Sequence, residues 1–271
     1  MPVLKIFSSE PISVYNYFKE LVKYKSLIWI LARHELKSMY AQTYFGILWS
    51  IIRPLVTVGI FTIIFKFFLH VSSQSSYYLF AFAGMIAWNL FSNIALNVSN
   101  AIMQKQTMIR KMYFPKIIIP LSKLIIASVE AMISLAILFI MMAFERVPLS
   151  SGLLVLPLFI LLNVICGMAV GIWMNALNIR FRDLNQIVPT FVGIGVWLTP
   201  VFYPTTIVPR EYDFIVYLNP MAGIIKGYRY SLLGEPFPEL NYWYALITVS
   251  LILVIGIWYF IRVEDTMVDY A

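Results

Sequence analysis

The sequence predicts an all-α polytopic membrane protein, and three observations carry that expectation. Of its 271 residues, 61% are hydrophobic and 12% charged, against about 45–50% apolar and about 25% charged in soluble chains. The apolar residues gather in runs of roughly twenty, enough for a helix to cross a bilayer. Between those runs the basic residues concentrate on one side. The roughly ten-residue alternating strands of a transmembrane β-barrel are absent. Glu10, Lys19, Glu20, Lys23 and Lys25 precede any long apolar run, a pattern unlike a removable signal peptide.

Residues 11–25 place Ile12, Tyr15, Phe18, Leu21 and Val22 at helical spacing, with Lys19, Glu20 and Lys23 largely opposite. Residues 26–42 start apolar and turn polar at RHELKSMYAQ. Both are too short and too charged to span, so each is expected to lie along the membrane surface as an amphipathic interface helix. Six spans follow, at about 47–69, 77–101, 117–143, 153–178, 187–203 and 244–262. Residues 205–241 are apolar enough to suggest a seventh. However, Pro220, Gly223, Lys226, Gly227 and Arg229 would all fall near its middle, so two short re-entrant helices on the outer side are expected instead. No linker or repeat divides residues 1–271, which read as one domain.

Six spans put both termini on one side. Segments 1–53, 104–124, 178–186 and 262–271 hold fifteen of the twenty Lys and Arg, which assigns that side to the cytoplasm. The net charge of +7 is therefore topological and implies no nucleic acid partner.

Enzymatic motifs are missing. The pair Gly-Lys never occurs, which excludes a phosphate-binding P-loop, and no G-x-S-x-G elbow is present. His34-Glu35 begins a zinc-protease motif, but Ser38 stands where the second histidine belongs. The lone Cys166 lies in an apolar run, without a disulfide partner or metal-ligand neighbours, and reads as a small core residue. No catalytic, metal or cofactor residue is assigned to this chain.

The second span carries the most informative pattern. Asn89, Asn93, Asn97, Asn100 and Gln104 fall within an arc of about 80° on a helix of about 3.6 residues per turn. Five amides facing lipid would be costly, so the stripe faces protein or water. It is either a lining that hydrogen-bonds a polar passenger or amide glue between helices. Aromatic residues cluster near the span ends, as an interfacial belt does. Trp49, Trp88, Trp197 and Tyr203 are the candidates for flat surfaces along a pore. Glu130 is the acid inside a span, a candidate gate or proton relay, or a hydrogen-bonded packing group. GMAVG at 167–171 would let two helices approach closely.

Two cytoplasmic turns mix charge with apolar side chains, as docking surfaces do. The first holds Lys105, Met108, Arg110, Lys111, Met112 and Tyr113. In the second, Arg180, Arg182 and Asp183 surround Phe181, with Arg180 and Asp183 at a helical pairing distance. The stretch from Asn178 to Pro204 joins that second turn to a short apolar span and a broken aromatic exit, PVFYP. Such a unit suits the transmission of motion across a membrane.

At this point the chain resembles a family. TYFGILWSIIRPL (43–55), RKMYFPKIIIPLSKL (110–124), NIRFRDLNQIVP (178–189), PVFYP (200–204) and LNPMAGIIKGYR (218–229) are similar, in order, to the membrane subunits of type-2 ABC exporters. The branch is that of the O-antigen, capsule and teichoic-acid permeases. Arg53 departs from the pattern, standing where an uncharged polar residue is expected.

The resemblance implies a homodimeric channel above a separate ABC ATPase dimer, which binds the ATP and magnesium that this chain does not. Residues 105–116 would be the main coupling helix, and the turn at 180–186 and the helix near 11–25 would be further contacts. Pro204, Pro220, Gly223 and Gly227 would belong to the outer gate. The passenger would be an undecaprenyl-linked polysaccharide. Within transporters, the rival expectation is an exporter of lipids or drugs; from another class, it is a proton-coupled carrier using Glu130.

Overall fold

The computed structural model describes residues 21–41, 48–64, 76–112, 114–178 and 183–263. Helix α1 spans Lys25–Tyr40, α2 Trp49–Thr62 and α3 Tyr77–Ser99, with short α4 (Ala101–Gln104) and α5 (Gln106–Lys111) continuing from α3. Then come α6 (Ile118–Phe144), α7 (Leu156–Asn178), α8 (Leu184–Leu198), α9 (Asp213–Leu218), α10 (Pro220–Leu233) and α11 (Asn241–Val263).

Among the described residues, four helices are long and apolar enough to cross a membrane: α3, α6, α7 with the 3-10 turn before it, and α11. Their bounds match the expected second, third, fourth and sixth spans to within about three residues. The other two expected spans are shorter as helices. Helix α2 has 14 residues and α8 has 15, about 21–22 Å at 1.5 Å per residue, below the roughly 30 Å of a hydrocarbon core. The fifth span, expected at 187–203, begins earlier and stops at Leu198. There the backbone of Thr199 turns extended and Pro200 can supply no N–H to continue the ladder. The expected residues 65–69 of the first span, and most of the expected helix at 11–25, lie outside the described residues.

Helix α3 is the centre of the fold. Its neighbours are α7, α6, α10 and α2, and it buries residues on every side, among them Ala81, Ala83, Ala87 and Ala95. These small side chains let other helices come close. On α7, a Cβ added to Gly167 would stand 2.8 Å from Ile94, and one on Gly171 would stand 2.7 Å from Val98. The GMAVG segment is thus the contact face of α7 against α3, as its spacing predicts.

Three asparagines of α7 pin the same contact. Asn163 donates to Ala87 O at 2.9 Å, Asn178 donates to Ser99 O at 2.9 Å, and Asn175 donates to Val98 O. Helix–helix amide glue therefore exists here, supplied by three residues of the fourth expected span. Helix α11 closes the far side of α7, where Trp173 lies against Gly256 and donates to Ile252 O at 2.9 Å.

Residues 205–241 form two 3-10 turns and the two short helices α9 and α10. Asn219 separates the pair: its side chain caps α10 by accepting from Met221 N at 3.0 Å, with Pro220 at the first helical position. Gly234, at φ 72°, ends α10 in the left-handed conformation that a residue with a Cβ adopts at a cost.

Candidate functional site

The amide stripe of α3 opens into a cavity of about 520 Å³ between α2, α3 and α6. Trp49, Ser50, Arg53 and Thr57 line it from α2, Asn89, Asn93 and Asn97 from α3, and Glu130 and Ser134 from α6, with Met39 of α1 at one end. The spacing of each set is one helical face, and the packing of the three helices turns those faces toward one space.

Asn93 donates to Glu130 Oε2 at 2.8 Å, while Asn97 donates to the Asn93 carbonyl at 2.8 Å. Arg53 lies 5.6 Å from the ring centroid of Trp49, within cation–π range. A guanidinium, a carboxylate, three amides, hydroxyls and an indole face share one space, a donor and acceptor set suited to a hydroxylated passenger. Arg53, the departure from the family pattern, is part of it.

The remaining lining candidates lie elsewhere. Asn100 donates to Leu96 O of its own helix at 3.3 Å. Gln104, the last amide, belongs to a latch centred on a buried lysine. Lys123 of α6, only 2% exposed, donates to Gln104 Oε1 at 2.7 Å and forms an ion pair with Glu35 of α1. The latch ties α1 to α6 and to the end of α4, one residue before Lys105.

Sequence reading missed it because Lys123 counted as a cytoplasmic flank and Glu35 as half of a failed zinc motif. Removing one partner of a buried pair leaves the other uncompensated. Lys123→Met is therefore expected to cost about 3 kcal/mol of stability. Glu35→Met combined with Lys123→Met should recover more than half, read as melting temperatures of the purified chain.

On the other side of α3, Trp88 and Phe91 line a second cavity of about 610 Å³. It is walled by α7, α8, α10 and α11, includes Cys166, and is almost wholly apolar. Trp88 therefore points away from the amide stripe. A Cβ on Gly195 of α8 would stand 2.9 Å from its indole.

Trp197, 59% exposed, lies 5.8 Å from the ring of Phe61, which stacks at 3.6 Å on Phe202. Tyr203 donates to Trp197 O at 3.1 Å. These contacts join the end of α2 to the PVFYP turn. The apolar faces of α2 and α8 otherwise carry exposed Val56, Ile60, Phe191 and Ile194.

Three of the four gate candidates belong to α10: Gly223 lies against Tyr242, Gly227 lies against Phe159, and Pro220 starts the helix. Pro204 lies earlier, just before the first 3-10 turn at Thr205–Ile207. Arg229, 2% exposed, anchors the whole region. Its guanidinium donates to Val201 O at 2.7 Å and to Phe80 O at 3.4 Å, and it sits 3.4 Å from the centroid of the Phe80 ring. Tyr77 adds a bond from its hydroxyl to Phe202 O at 2.7 Å.

In the first coupling candidate, α5 is held down by buried Ile109 and the following Phe114. Arg110, Lys111 and Met112 are exposed, and Lys105 and Met108 are half-buried. In the second, Asp183 is exposed just before α8. Tyr113, Arg180 and Arg182 lie outside the described residues.

The family model for ABC-2 type transporters matches residues 26–233, from α1 through the end of α10. This chain belongs to that family. It is accordingly a multi-pass transport chain rather than an enzyme. Its relatives include an "O-antigen export system permease protein RfbA" of Klebsiella pneumoniae, 27% identical over 235 residues that make up 85% of this chain and 89% of that protein. A protein of the same name from Myxococcus xanthus is 25% identical, covering 87% of this chain and 91% of that one. A "capsule polysaccharide export inner-membrane protein CtrC" of Neisseria meningitidis is 21% identical over 89% of this chain and 92% of its own length.

Proposed function

We propose that this chain is the membrane subunit of an ATP-driven exporter that moves an undecaprenyl-linked polysaccharide, of O-antigen, capsule or teichoic-acid type, across the bacterial inner membrane. Two copies form the channel, and a separate ABC ATPase dimer binds on the cytoplasmic side. Both termini are cytoplasmic, α2 and α8 complete the set of six spans, and α9–α10 re-enter from the outer face. The observation that carries the reading is the polar cavity of α2, α3 and α6, since an exporter of apolar drugs or lipids has no use for three amides, Arg53 and Glu130 in one space. The names of three relatives point the same way. Glu130 serves here as a hydrogen-bonded partner of Asn93 rather than as a relay.

The chain reconstituted with its ATPase should require lipid-linked glycan for full turnover. Equal stimulation by a hydrophobic drug, with no glycan transported, overturns the substrate assignment.

In this scheme α5 is the main contact with the ATPase and Asp183 lies in a secondary one. Charge reversal by Arg110→Glu with Lys111→Glu removes exposed cations from a helix anchored by Ile109. The double variant is expected to keep its melting temperature and to bind the ATPase about tenfold more weakly, chiefly through the electrostatic part of the contact. Co-purification at undiminished yield would remove α5 from the interface.

A further inference from the structure

Helix α1 carries two different faces. The inward face packs Leu27, Ile28 and Leu31, together with Leu21 and Tyr24 just before the helix, into a core cluster with α6, and Glu35 joins the latch with Lys123. The outward face is basic and aromatic together. Trp29, Arg33 and Lys37 follow one another at four-residue spacing, which makes a single row along the helix. Lys25, four residues before Trp29, starts the same row, and Ile30 and His34 flank it. All six are exposed, Trp29 by 57% and Ile30 by 60%. No Asp or Glu shares this face: the one acid of α1 is Glu35, turned inward.

We propose that the outward face of α1 is a binding surface for anionic phospholipid headgroups of the adjoining bilayer leaflet. A tryptophan settles at headgroup depth. Arginine and lysine beside it extend their charged ends to lipid phosphates while their stems lie on apolar surface. A row of cations without a matching acid attracts an anionic membrane surface and has no such preference for a net-neutral one. The position fits, because α1 precedes α2, the first of the membrane-crossing set, and packs on α6 near its start.

The latch gives the contact a consequence. Headgroups bound on one side of α1 hold in place a helix bolted through Glu35 and Lys123 to Gln104, next to the coupling segment. Lipid charge thereby tunes how firmly α5 is presented to its partner.

The surface is tested with the full chain, without the ATPase, in nanodiscs of phosphatidylcholine alone or mixed with phosphatidylglycerol. The readout is hydrogen exchange of the peptide covering 25–38. Phosphatidylglycerol should slow its exchange several-fold, and raised salt should reverse the effect. Arg33→Gln with Lys37→Gln should lower retention of phosphatidylglycerol by about thirtyfold, each cation near an anionic surface acting separately. Both positions are exposed and outside the latch, so folding is checked independently by an unchanged melting temperature.

Equal exchange in the two lipid mixtures overturns the proposal. So does protection that appears only when the ATPase is added, which would give this face to the protein partner. Neither result depends on the identity of the exported glycan.

Discussion

Gly227→Ala is expected to lower the stability of the purified chain by about 2–3 kcal/mol, the upper range for forcing a methyl group into a packed core. The Cβ of such an alanine would stand 2.1 Å from the ring of Phe159, a side chain with no exposed surface. A real contact cannot be that short, so either α10 or α7 must shift. Phe159 has little room to give, because it also meets Phe237 and Trp243 at ring distances of 6.2 and 6.5 Å. The ring should therefore be the cause, and Phe159→Leu should restore part of the loss in the double variant while costing stability alone. Additive losses in that cycle, measured by thermal melting, would show that the two positions do not meet.

Gly227 also shows where sequence reading stopped short. It entered as part of a glycine- and proline-interrupted segment unsuited to a span, and the hairpin of α9 and α10 follows from that. Its packing against Phe159, 68 positions earlier in the chain, has no local signature. The same division runs through the site.

Periodicity on α3 placed Asn89, Asn93 and Asn97 on one face, and Trp49 was visible as an aromatic near a span end. That Arg53, Glu130, Ser134 and Thr57 complete the cavity required the relative rotation of α2, α3 and α6, which one helix's pattern does not contain. Trp88 shows the reverse. It sits one residue from Asn89 and was grouped with it, yet about 100° of helical rotation turns it into the apolar cavity beside α8. Interhelical pairs such as Glu35 with Lys123 were illegible for a third reason. A charge near a span end has the same composition whether it faces water or a partner, and the partner here is 88 positions away.

The described part of α8 buries one residue, Val188, while α2 buries Pro54 and Val58. Helix α3, by contrast, is buried along most of its length. Packing of this kind makes α3, α6 and α7 a rigid block, with α2 and α8 lightly attached on either side of it. The two light helices border the polar and the apolar cavity respectively. A displacement of either one disturbs few buried contacts.

The outer end is different, and Arg229→Leu shows why. The arginine satisfies carbonyls on two elements, Phe80 of α3 and Val201 of the PVFYP turn. Its removal leaves those groups buried without that donor, and it leaves Glu235 with Lys226 as its remaining positive neighbour. About 3–5 kcal/mol should be lost, with faster proteolysis of residues 200–220 as the turn comes free.

The loss carries a pH signature. Burial already pushes the Glu235 carboxyl above its usual range, and Arg229 pulls it back down. Without the arginine the folded-state carboxyl rises further above its unfolded value. A carboxyl raised in the folded state binds more protons there than in the unfolded chain, so it favours folding at low pH and disfavours it as pH rises. The deficit of Arg229→Leu should therefore be largest near about pH 7 and shrink toward about pH 5. Arg229→Leu combined with Glu235→Gln should show a smaller deficit at neutral pH and lose this pH dependence. A deficit in the single variant that stays constant across that interval would separate Glu235 from Arg229 and leave the two carbonyls as the whole of the effect.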